Sequence, residues 1–81
     1  MRDPIEAKVV QIVAEQLATD PTEITMQSAF IADLGADSLD MVEIAMTIEE
    51  EFDMMLPADA PEQFITVGQA VEHLQHAHDS V

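Results

Sequence analysis

The stretch Leu34 to Phe52, LGADSLDMVEIAMTIEEEF, decides the fold class. Its apolar side chains recur at three- and four-residue spacing, the period of an α-helix rather than of a strand. Asp37 is the expected cap, with the helix running from Ser38 or Leu39 to about Phe52 and a break at Asp53 and Pro57. At about 100° per residue, Asp40, Glu43, Thr47, Glu50 and Glu51 fall in one arc. Met41, Val42, Ile44, Ala45, Ile48 and Phe52 occupy much of the opposite side. A helix buried against two neighbours needs so wide an apolar face, which makes these residues candidate core. Leu39 and Met46 project at the border, beside Glu43 and Glu50. They suit either core packing or an interaction surface with an apolar centre and a charged rim.

Upstream, Asp3-Pro4-Ile5-Glu6 places a capping acid, a proline at the first helical position and a glutamate at the third. Ile5, Val9, Ile12, Val13 and Leu17 form one apolar stripe, and Thr19-Asp20-Pro21 is the expected end of this helix. Residues 19–37 form a long connection under which Ile24, Met26, Phe30, Ile31 and Leu34 are expected to tuck. A short turn is expected around Ser28 to Leu34, closed by Gly35. Downstream, a short helix fits between Ala58 and Phe64, with Pro61 limiting its length or sitting in its first turn. Thr66-Val67-Gly68-Gln69 reads as the capping box of a last helix whose stripe is Val67, Ala70, Val71, Leu74 and Ala77. No alternating strand and no repeat stands out. The expectation is an all-α fold: one domain over residues 1–81, a small antiparallel bundle of three longer helices plus one short helix, with a long structured loop between the first two.

Composition narrows the function. With 48% hydrophobic residues the chain has the makings of a core, though one of 81 residues is marginal. Without cysteine there is no disulfide, no thiolate nucleophile and no cysteine metal site. The net charge of −15, with Arg2 and Lys8 the only basic residues, disfavours nucleic acid and anionic membrane surfaces. It favours fast, salt-sensitive encounters with basic protein surfaces. No run approaches the roughly 20 apolar residues that span a bilayer, and MRDPIEAKVV does not resemble a signal peptide. The expected location is the cytoplasm, or an organelle interior after removal of a targeting segment.

Glu43 and Glu50 stand two turns apart on one line. Stacked carboxylates cost an isolated helix a few tenths of a kcal/mol per close pair. Asp37 and Asp40 offset part of that by facing the positive end of the helix dipole, whereas Glu49, Glu50 and Glu51 sit at its negative end. A basic partner would compensate the arrangement; a merely solvated face is the competing reading. Ser38, at the mouth of this helix, has no base in sequence reach. A nucleophilic serine needs one, with a third group to orient it, and His73, His76 and His78 all lie at the far end of the chain. Two roles remain for Ser38: a structural residue at a helix start, or a hydroxyl that another enzyme modifies.

The run Phe30-Ile-Ala-Asp-Leu-Gly-Ala-Asp-Ser-Leu-Asp-Met-Val-Glu-Ile44 resembles the signature of acyl carrier proteins, especially the freestanding kind serving dissociated fatty-acid synthesis. Asp37-Ser38-Leu39 matches the attachment motif, Ala45 to Phe52 continues the match, and VAEQL and ITVGQAVEHL extend it over nearly the whole chain. The resemblance implies that Ser38 receives 4′-phosphopantetheine from coenzyme A through a separate Mg-dependent phosphopantetheinyl transferase. The thiol of that arm would carry acyl groups as thioesters, supplying the sulfur the chain lacks. The protein itself would not be an enzyme.

By position, the resemblance assigns Asp37, Leu39, Asp40, Glu43, Met46, Glu49 and Glu50 to a recognition face. Acyltransferases, ketosynthases, ketoreductases, dehydratases and enoyl reductases would dock there through basic patches on a monomeric carrier. It assigns Ala45, Ile48 and Phe52 to the shelter of the acyl chain, with Met41, Met46, Met54 and Met55 as adaptable packing. The segment PADAPEQFITV departs from the family pattern, carrying Pro61 and Phe64 in place of a more acidic run followed by lysine and isoleucine. A carrier for polyketide or specialised lipid synthesis therefore stays open, as does an unmodified acidic adaptor. The histidines invite a metal reading, but such residues more often simply complement the negative end of a helix, and no metal is expected. Asp33 to Asp37 lacks the alternating oxygen ligands of a calcium loop, although loose, incidental divalent binding fits so acidic a chain.

Overall fold

A computed structural model describes residues 3–79, with side chains to residue 77, so Arg2 and the side chain of His78 lie outside the described residues. Four helices follow in order: α1, Pro4–Leu17; α2, Ser38–Phe52; α3, Ala60–Gln63; and α4, Val67–Asp79. A single 3₁₀ turn, Pro21–Glu23, interrupts the connection between α1 and α2. Among the described residues the only bridge of β type is the isolated Ala29–Thr66 pair. Helix α1 packs against both α2 and α4, and α2 also meets α3.

The helix starts follow their local chemistry. Asp3 accepts from the Ile5 N–H at 2.8 Å, with Pro4 in the first turn where its missing N–H costs nothing. At α4 the expected capping box is present: Gln69 N–H donates to Thr66 Oγ1 at 3.3 Å and Thr66 N–H to Gln69 Oε1 at 3.1 Å. The end of α1 falls where expected, just ahead of Thr19-Asp20-Pro21. The helix stops at Leu17, because Ala18 turns into the left-handed region (φ 53°) and its N–H returns to the Ala14 carbonyl. Asp20-Pro21 then begins the 3₁₀ turn. The Asp20 carboxyl accepts from the backbone N–H and the hydroxyl of Thr22, which together hold its pKa below the usual aspartate value.

The core joins Val9, Ile12 and Val13 of α1 to Met41, Ile44 and Ile48 of α2 and to Val67, Ala70, Val71 and Leu74 of α4. Ile24 and Phe30 plug it from the long loop. Ile31 does not: expected to tuck under the loop, it is 63% exposed. Backbone pairing binds this loop to the start of α4. Val67 N–H donates to the Ser28 carbonyl at 3.0 Å and Gly68 N–H to the Met26 carbonyl at 2.9 Å. The loop thus supplies acceptors that the first turn of a helix cannot find within itself. Only glycine permits the approach, since a Cβ at position 68 would lie 2.8 Å from the Met26 carbonyl oxygen.

Candidate functional site at the start of α2

The turn leading into α2 is built to hold its first residues still. Asp33 and Leu34 donate their N–H groups to the Ala29 carbonyl, Gly35 to Ile31 and Ala36 to Phe30. Gly35 takes φ +73°, a conformation that a side chain would strain. The Asp33 carboxylate accepts from Ala29 N–H at 2.7 Å, and Ala36 is buried beneath the turn. Asp37 and Asp40 then close a reciprocal capping box. Asp40 N–H donates to Asp37 Oδ1 at 2.8 Å, and Asp37 N–H to Asp40 Oδ2 at 3.1 Å.

Ser38 follows as the first residue of α2, exposed, with no partner for its hydroxyl among the described residues. The amides of Ser38 and Leu39 sit in the first turn, which has no intrahelical acceptor to offer them. His73, the nearest thing to a catalytic base the sequence offers, packs its ring on Phe64 at a centroid distance of 5.6 Å. His76 Nε2 stands 3.9 Å from Glu72 Oε1 on the same helix. No group of three histidines or acids gathers for a metal among the described residues.

Beside Ser38 opens a groove of about 560 Å³ between the turn, α2 and α3, with Ile31, Met41, Val42, Pro61, Phe64 and Ile65 among its lining residues. Val42, assigned to the core side from its sequence position, is 43% exposed. The reason is angular: it lies about 120° around the helix from Ile48, at the edge of the buried arc. Leu39 (65%) and Met46 (54%) are exposed as well, so Leu39, Val42 and Met46 form one apolar strip running away from Ser38.

The acids around that strip are not equivalent. Glu43 Oε2 accepts from Gln16 Nε2 of α1 at 2.6 Å, and Glu50 stays open to solvent. Glu49, half-buried, turns back to accept from Leu56 N–H at 2.8 Å and so fastens the segment after α2. Glu51 pairs with Lys8 at 2.6 Å, an exposed contact of small energetic weight. Of the residues expected around a cavity, Ala45 and Ile48 are buried core and Phe52 is half-buried; none lines the groove at Ser38. Sequence reading missed Ile31, Val42 and Ile65 as groove residues. For Val42 the helical angle was the available signal, whereas the other two are placed by loop pairing that has no periodicity.

Comparison with known proteins gives a consistent result. Residues 7–74 match the family model for the phosphopantetheine attachment site. An acyl carrier protein from Clostridium acetobutylicum is 52% identical over 68 residues, covering 84% of this chain and 88% of that protein. Another from Phenylobacterium zucineum is 52% identical over 75 residues, 93% of this chain and 94% of the relative.

Proposed function

This chain belongs to the family of acyl carrier proteins bearing a phosphopantetheine attachment site, and on that premise we propose that Ser38 is the residue that carries the arm. The observation behind this assignment is the Ser38 hydroxyl itself, exposed and unpartnered on a rigid helix entrance. The site suits a phosphodiester. First-turn amides and the positive end of the α2 dipole favour an anion there. The Asp37 and Asp40 carboxylates, which would oppose it, each take a backbone N–H of the capping box. Once attached, the arm supplies the thiol that holds acyl groups as thioesters. The chain supplies a fixed point of attachment, an apolar groove beside it and a charged surface for the enzymes.

In this reading a phosphopantetheinyl transferase provides the base that Ser38 lacks, and the fatty-acid synthesis enzymes dock through basic patches in the cytoplasm. Asp37, Leu39, Asp40, Glu43, Met46, Glu49 and Glu50 make the docking face, to which Val42 is added by its exposure. Its apolar centre is the Leu39–Val42–Met46 strip, and its most available charge is Glu50. Longer acyl chains part the helices to reach Ala45, Ile48 and Phe52. A carrier dedicated to polyketide or specialised lipid synthesis is favoured by one observation. Pro61 and Phe64, where the sequence departs from the family pattern, both line the groove at Ser38.

The test is the intact mass of the chain after incubation with coenzyme A, Mg²⁺ and a phosphopantetheinyl transferase. One phosphopantetheinyl increment is expected on the wild type and none on Ser38→Ala. No increment, or one that survives the substitution, rejects the assignment.

A further inference from the structure

Thioethers are the only sulfur this chain offers an oxidant, since it has six methionines and no cysteine. The fold grades them. Met41 is buried in the core at 4% exposure, and Met26 and Met54 are half-buried against it. Met46 (54%) and Met55 (85%) stand in the open. Both line a depression of about 380 Å³ at the end of α2, with Glu49, Glu50, Asp53 and Met54. Their exposure is built in. Met46 lies on the outer face of the helix. Met54 N–H donates to the Glu49 carbonyl at 3.1 Å and Leu56 N–H to Glu49 Oε2 at 2.8 Å, so the main chain is fixed on either side of Met55. The surrounding carboxylates select the oxidant. On a chain of charge −15 they repel anionic oxidants and admit neutral hydrogen peroxide.

We propose that Met46 is a site of reversible oxidation by hydrogen peroxide, and that its sulfoxide uncouples the α2 face from the proteins that dock there. A lone pair of the Met46 sulfur attacks one peroxide oxygen. The S–O bond forms, the O–O bond breaks, and the leaving hydroxide takes the proton of the transferred oxygen and departs as water. Sulfur loses two electrons and peroxide gains them. Methionine sulfoxide reductases, one for each sulfoxide epimer, reverse the step: a dithiol is oxidised to a disulfide and the oxygen leaves as water. The sulfoxide places a strong hydrogen-bond acceptor in the Leu39–Val42–Met46 strip, from which docking has to expel water. Met55 lies outside the strip, so its oxidation has no such consequence. The docking consequence rests on the carrier reading; the order in which the methionines oxidise does not.

Two measurements separate those dependences. The chain without its arm is treated with graded hydrogen peroxide, the excess is destroyed with catalase, and each methionine is read by peptide mass spectrometry. Sulfoxide is expected first at Met55 and Met46 and last at Met41, with the circular dichroism spectrum unchanged while Met46 is converted. Affinity for a phosphopantetheinyl transferase is then expected to fall about tenfold and to return after treatment with both sulfoxide reductases and dithiothreitol. Within each variant the affinities before and after peroxide are compared, whatever the starting value. The loss is expected to persist in Met55→Leu and to vanish in Met46→Leu. Met41 oxidising in step with Met46, helicity lost along with docking, or a loss that survives Met46→Leu or disappears in Met55→Leu overturns the proposal. Unchanged affinity of a chain fully oxidised at Met46 overturns it equally. Failure of the untreated chain to take up the arm from coenzyme A, with the order of oxidation as stated, contradicts the carrier reading and leaves the oxidation site standing.

Discussion

Gly68 shows how much of this fold hangs on one missing side chain. Alanine in place of glycine within a helix ordinarily stabilises by about 0.5–1 kcal/mol. Here the added Cβ would stand 2.8 Å from the Met26 carbonyl oxygen, a backbone atom that also accepts the Gly68 N–H. Overpacking of that kind costs about 1–3 kcal/mol, so the contact outweighs propensity. Urea unfolding of Gly68→Ala is therefore expected to show a net loss of stability; a gain would mean that the loop yields easily. Asp20 gives a pH signature at the same scale. Its hydrogen bonds to Thr22 depress its pKa, so its contribution is complete above the ordinary aspartate range and fades as pH falls through the lower, folded value. Asp20→Asn is expected to flatten that part of the stability–pH curve, as followed by circular dichroism. An unchanged acid limb contradicts the assignment.

In the proposed function helix α2 performs two tasks with one sequence, core packing and docking, and its faces separate them. Glu43→Lys reverses charge on the exposed side, where helicity does not depend on it. Transferase association is expected to slow roughly threefold to tenfold at low salt, with the difference shrinking as salt rises. Equal rates at low salt in stopped-flow measurements would mean that the acids are only solvated. Leu39→Ala removes an exposed apolar group from the centre of the strip. It is expected to weaken docking by more than about 1 kcal/mol while barely moving the thermal midpoint. Much of this helix was legible beforehand, because Asp37, the periodic core residues and the stop after Phe52 are local signals. The same holds for Pro4 in α1 and for the Thr66–Gln69 box of α4. What escaped was set by distant partners: the exposure of Ile31, the pairing of Met26 and Ser28 with α4, and the return of Glu49 to Leu56. No spacing rule reports such contacts. The left-handed turn at Ala18 that closes α1 escaped for another reason, since alanine is no marker of that conformation.

Taken whole, the molecule is a small bundle with a charge of −15, and the repulsion among its acids works against compaction. Lys8 pairs with Glu51 and leaves most acids without a cationic neighbour. Screening should therefore stabilise it. Raising sodium chloride from about 10 mM, where the Debye length is roughly 30 Å, to 1 M, where it is roughly 3 Å, is expected to add about 1 kcal/mol. That corresponds to about 4–8 °C in thermal midpoint for a domain of this size. A midpoint indifferent to salt would show that the acids are too dispersed to strain the fold. In the proposed function, the same charge, concentrated along α2 beside the Ser38 hydroxyl, is what lets other enzymes hold the bundle and modify it. Among the described residues no helix is long and apolar enough to cross a membrane, and nothing in the site activates Ser38 from within. The most direct test is mass spectrometry of the protein purified from its native cells. A phosphopantetheine arm on Ser38, bearing acyl groups as thioesters, is the predicted result; a chain always bare at Ser38, in cells that contain an active phosphopantetheinyl transferase, would contradict it.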